Sequence, residues 1–219
     1  MVDTRRLEFV ATTTPDRKTA AVELGLVVGT GALHLVAENV FEAKTHFIAA
    51  AAVFWVGFVV RRVWQDRGWL RAWGFRLDNL RSATWPCAIV LVVGTGALFG
   101  YGYALGRLPL PGHFYVLTAL YPLWGLVQQF LLQSLLVRNL RAFLSSPVLR
   151  IATGAALFGV SHVPDGPLVG LTIIAGICWS VLYEWHPNLY PLAVCHGWLG
   201  ALAYFLVLGR DPWVELFGH

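Results

Sequence analysis

The chain has 219 residues, 57% hydrophobic and 13% charged, with a mean hydropathy of +0.63. A soluble domain wets its surface with nearer a quarter charged residues, so this composition excludes a water-exposed globule and requires lipid as the main solvent. The net charge of +4 does not point to nucleic acid. The cations stand at the ends of apolar stretches, where they set membrane topology, and the partner they imply is membrane lipid.

Residues 1–19 are polar, lack the apolar core of a cleavable signal and read as a cytoplasmic segment. Apolar stretches able to cross a bilayer, at about 20 residues per crossing, follow at 20–37, 45–61, 85–105, 114–138, 149–163, 168–183 and 190–208. The expected fold class is therefore an all-α polytopic transmembrane bundle of about seven spans, one unit over 20–208, with a C-terminal tail at 209–219. With the N-terminus in the cytoplasm, 13 of the 16 Lys and Arg residues fall on the cytoplasmic side, leaving Lys44, Arg107 and Arg210 outside. That asymmetry predicts an N-in, C-out protein of the cell (inner) membrane.

In the first two spans, His34, Glu38, Glu42 and His46 recur every four residues. On one unbroken helix they would share a face suited to a metal, but their position between two spans reads better as an exposed turn. The following loop, 61–84, alternates Arg with Trp and Phe and is expected to lie along the headgroups. The string VVGTGAL occurs at 27–33 and again at 92–98, which predicts two similar faces for close helix packing. Cys87, Cys178 and Cys195 are scattered, with no C-x-x-C, and read as packing residues.

Polar groups within a span are costly and each invites a functional reading. The fourth span carries Gln128, Gln129 and Gln133, the fifth ends at His162 and the last contains His196. Counted from the flanking cations and from the His186-Pro187 loop, these groups are expected roughly 12–18 Å into the membrane. A shared depth would let them form a buried polar site. Considered singly, each is equally a structural hydrogen-bonding residue. Two imidazoles without an acid make a weak metal site, so metal binding stays open and no cofactor is implied.

Over about residues 70–208 the sequence resembles the CPBP family of intramembrane proteases, which takes in CAAX prenyl endopeptidases and bacteriocin-processing or Abi proteins. The family's Glu-Glu-x-x-x-Arg motif reads here as Gln128-Gln129-Phe130-Leu131-Leu132-Gln133. Its Phe-x-x-x-His motif is intact at Phe158 and His162. Its His-x-x-x-Asn motif keeps His196 and has Gly200 in place of Asn. The resemblance implies a membrane peptidase in which a motif glutamate and the second-motif histidine activate water, while the third motif stabilises the oxyanion. By that correspondence His162, His196, Gln128 and Gln129 stand at the catalytic positions, with Gln133, Phe158 and Gly200 lining the pocket.

A carboxylate in a low-dielectric pocket can accept a proton near neutral pH, whereas a carboxamide can only hydrogen-bond. Both acids and the Arg have become Gln, which neutralises the cluster as a unit. The expectation is a pseudoprotease that binds a membrane-protein or peptide partner. An active protease using His162 and His196 with a non-standard base, and a structural subunit of a membrane complex, are the alternatives.

Overall fold

The computed structural model describes residues 15–217. Arg5 and Arg6, two of the cytoplasmic cations of the topology argument, lie outside the described residues. Nine helices and no strand are found among those described: α1 (Arg17–Asn39), α2 (Lys44–Gln65), α3 (Gly68–Ala72), α4 (Leu80–Ala104), α5 (His113–Leu140), α6 (Pro147–Val160), α7 (Gly166–Trp185), α8 (Leu189–Leu208) and α9 (Pro212–Phe217). Six of them, α1, α2, α4, α5, α7 and α8, are long and apolar enough to cross a bilayer. The chain is thus an all-α polytopic membrane protein. The segment expected to span at 149–163 forms α6, whose 14 residues extend about 21 Å, short of the roughly 30 Å hydrocarbon core.

Local chemistry sets the helix starts. The Asp16 side chain accepts from Lys18 N and Thr19 N at the head of α1. Ser146 caps α6 ahead of Pro147, Asp165 accepts from Leu168 N in α7, and Asn188 accepts from Tyr190 N in α8. These are the residue types whose short polar side chains satisfy the first free N–H groups of a helix. The turn between α1 and α2 breaks the four-residue repeat: Glu42 adopts φ 52°, outside helical geometry. His34 and Glu38 therefore belong to α1 and His46 to α2.

The described residues fold as two compact units, one of 15–75 with 131–184, the other of 76–130 with 185–217. The division falls inside α5.

The first unit has an apolar cluster of Leu132, Leu136 and Val137, against which Leu24, Val27, Leu157 and Phe158 pack. At one end of its helices lies an ionic layer. Fully buried Glu23 accepts from Arg62 Nη2 at 2.9 Å and from Asn139 Nδ2 at 2.8 Å, with Arg138 Nη1 at 3.8 Å. Glu184 is paired with Arg141 at 3.2 Å and Arg150 at 3.3 Å. Arg150 also donates to the carbonyls of Leu144 and Ser145. Arginines that the sequence presents as topology markers are thus also the partners of two carboxylates within apolar helices, as buried charge requires.

The Arg- and Trp-rich stretch 61–84 is not one surface strip. Its start completes α2, and its centre is α3 followed by Trp73, which is fully buried. The Trp73 carbonyl accepts from Ser134 Oγ at 2.6 Å and Tyr183 OH at 2.9 Å. Gly74, at φ +93°, passes within contact of the Tyr183 ring, where a side chain would be strained. A pattern of Arg and Trp cannot distinguish an indole that faces headgroups from one that fills a core.

In the second unit Phe114, Leu117, Leu202, Phe205 and Leu206 form the core. One end is tied by Asn188, whose Nδ2 donates to Arg76 O and Asn79 Oδ1. The other end is tied by Arg107, which donates to the carbonyls of Leu206 and Val207 near the end of α8, and by the His113–Asp211 pair at 2.5 Å. The two expected glycine faces are not alike. A Cβ at Gly29, Gly31 or Gly96 would meet open space, whereas Gly94 packs on Leu199 and Thr95 Oγ1 accepts from Trp198 Nε1 at 2.9 Å.

Candidate functional site

In the second unit α5 and α8 cross at backbone distance. A Cβ added at Gly125 would stand 2.7 Å from Ala193 O, and one at Gly197 would stand 2.5 Å from Pro122 N. Only glycine permits that approach. One turn beyond Gly125 on α5 is Gln129, and the residue before Gly197 on α8 is His196. The close crossing brings these two side chains together: Gln129 Nε2 lies 2.8 Å from His196 Nδ1.

Gln129 is fully buried. Its amide N–H donates to Nδ1, so the neutral imidazole carries its own proton on Nε2. Gln129 Oε1 is buried and accepts no hydrogen bond from the described residues. Gln128, its neighbour, is half-buried. At Gly200 a Cβ would meet His196 Cδ2 at 3.6 Å and the Tyr121 ring at 3.9 Å, ordinary contact distances. The space beside His196 at the third-motif position is therefore large enough for the start of a side chain.

In the first unit Gln133 is fully buried and donates to Ser180 Oγ at 3.2 Å. It lies within the π-helical turns of α5, Phe130–Val137, a rare geometry that often marks functional segments. His162 follows the end of α6, and its Nδ1 lies 2.8 Å from Phe158 O and 3.2 Å from Ser161 Oγ. A carbonyl can only accept, so Nδ1 carries the proton and Nε2 presents the lone pair. Ser161 Oγ donates to the same carbonyl at 2.7 Å. With its proton directed there, Ser161 is not activated by its neighbour, and the two do not form a nucleophile–base pair. Phe158 meets the His162 ring edge-on at 5.1 Å.

His34 Nε2 bonds Glu38 at 3.2 Å, and Glu38 pairs with Lys44 at 2.5 Å. Among the described residues no group of three or more His, Cys, Asp or Glu side chains is placed to hold a metal ion. The sequence reading missed Glu23 and Glu184 as buried charges. The signal was present in the form of a lone acid within an apolar run, Glu23 in α1 and Glu184 in α7, each needing a guanidinium from another segment.

Comparison of the chain with curated proteins and with solved structures gave no match. Residues 110–202, under half the chain but including every motif position discussed above, match the family described as Type II CAAX prenyl endopeptidase Rce1-like. That stretch is similar to the Rce1-like family, consistent with the CPBP family the motifs resemble, and together with the six long apolar helices it supports an integral membrane protein with a CAAX-protease-like region.

Proposed function

We propose that the protein is a pseudoprotease: a CAAX-protease-like membrane protein that binds a peptide segment of a partner without cleaving it. The observation that carries the reading is the Gln129–His196 pair. At the position where the resemblance implies a motif glutamate stands a buried amide, one N–H of which donates to His196. An amide takes no proton near neutral pH, so it cannot activate water. Its Oε1, buried and unclaimed by the described residues, is instead an acceptor suited to an N–H donor of a bound chain. The third-motif asparagine is also missing, at Gly200.

The purified full chain is expected to leave a prenylated peptide intact, while the combined variant Gln128→Glu, Gln129→Glu, Gln133→Arg, Gly200→Asn gains peptidase activity. Partner capture from native membranes is expected to weaken in Gln129→Leu. Cleavage by the unmodified protein, abolished in His162→Ala, overturns the proposal. That outcome belongs to a second reading, in which His162 acts as base. The hydrogen bond from Nδ1 to Phe158 O favours it, because it leaves Nε2 able to take a proton.

A further inference from the structure

Above the apolar cluster of the first unit, α1 and α6 share a seam. Val27 of α1 and Phe158 of α6 both pack against the cluster of Leu132, Leu136 and Val137. His34 lies seven residues beyond Val27, two turns along α1 and about 20° round it. His162 lies one turn beyond Phe158, its ring edge-on to the Phe158 ring at 5.1 Å. The two imidazoles therefore rise from the same seam, one from each side.

The end of α1 and the start of α2 add two charges. Glu38 Oε2 lies 3.2 Å from His34 Nε2, and Lys44 Nζ donates to Glu38 Oε1 at 2.5 Å. The charged groups that act on His162 are His34, Glu38 and Lys44, and those that act on His34 are Glu38 and Lys44. Of the other titratable groups on these segments, Glu42 and His46 are exposed, and Asp165 accepts from Leu168 N at the head of α7. His34 and Glu38 thus form half of a cluster that His162 completes.

With both imidazoles neutral, the charges of Glu38 and Lys44 cancel. An ordinary imidazole titrates near about pH 6.5, so mild acid places a proton on each. His162 Nδ1 already donates to Phe158 O. A proton taken at Nε2 makes an imidazolium in the company of a second imidazolium and an ammonium, with one carboxylate to offset three cations. Like charges brought together in a part-buried seam repel. The seam is therefore held above the imidazole range and strained below it.

We propose that these four side chains form an acid-sensitive latch, which holds the end of α1 against α6 while both imidazoles are neutral and releases it when both are protonated. The cation distribution predicts that this end of α1 lies outside, where it meets the external pH. The latch lies wholly in the first unit and does not rest on the Gln129–His196 pair.

The test is hydrogen exchange of the full chain in mild detergent, read by mass spectrometry and corrected for the intrinsic rate at each pH. Between about pH 7.5 and about pH 5, exchange over 157–165 should rise about tenfold, while 85–105 in the second unit should not change. His34→Gln and His162→Gln, neutral at both pH values, should each lose most of the rise. Two charge variants keep the test decisive if those fail to fold. Lys44→Gln removes a repelling cation and should lessen the rise; Glu38→Gln removes the offsetting carboxylate and should enlarge it. A merely structural Glu38–Lys44 pair would make these two variants act alike, and that result overturns the proposal. Equal exchange at both pH values in the unmodified protein also overturns it, as does a rise that survives in His34→Gln and His162→Gln or that spreads equally to 85–105.

Discussion

Gln129 shows how one buried residue can define a site. Its N–H satisfies His196 Nδ1 while its Oε1 is unclaimed by the described residues. Replacing it by Leu removes the donor that the imidazole accepts from, and should lower stability by about 1–3 kcal/mol, read as a fall in thermal unfolding temperature in detergent. At Gly200, by contrast, a Cβ finds only ordinary contacts, and Asn is a better helix former than Gly. Gly200→Asn should therefore fold with stability within about 0.5 kcal/mol of the original, measured by the same unfolding curve. Together the two variants separate a polar group that holds the fold from a position that merely lacks one.

Among the elements, α5 and α8 depend on their glycine crossing. A methyl group at Gly197 would press on the Pro122 backbone, which cannot step aside as a side-chain tip could. Gly197→Ala should cost about 1–3 kcal/mol by overpacking, and it should disturb the Gln129–His196 contact, visible as a shifted imidazole resonance. Gly96→Ala, into open space, should be harmless by both measures. In the first unit the ends of α1, α2 and α5 meet through Glu23. Glu23→Ala strands Arg62 beside a buried gap and should cost about 3–5 kcal/mol, checked by unfolding temperature and by yield of folded protein. A surface pair such as Arg210–Glu215, both part-exposed, should contribute under about 1 kcal/mol.

For the whole molecule, composition alone required lipid, and six helices meet the length for crossing it. The cation distribution predicts an outside C-terminus, so a phosphatase fused after His219 should be active and a fluorescent protein there dark. The opposite pattern would reverse the topology. The short α6 bears on that count, since only with its passage through the membrane does the chain make seven crossings. Cysteine labelling at Ser145 and Val163, either side of α6, should report opposite sides if it crosses.

Hydropathy made the helices legible because each must bury its own backbone polar groups in lipid, a local requirement that leaves a continuous apolar run. The expected ranges 20–37, 114–138 and 168–183 fall within α1, α5 and α7 for that reason. The motif positions were legible as well, since Phe158, His162 and His196 are read by spacing. What only the tertiary structure decided were relations between distant segments: that Gln129 bonds His196, that Glu23 meets Arg62 and Asn139, and that Trp73 is core while Trp64 is exposed. The glycines show the limit most plainly. Gly29 and Gly197 look alike in the sequence, yet one faces open space and the other a proline backbone, because a glycine's role lies in what approaches it, and the approaching helix is specified elsewhere in the chain.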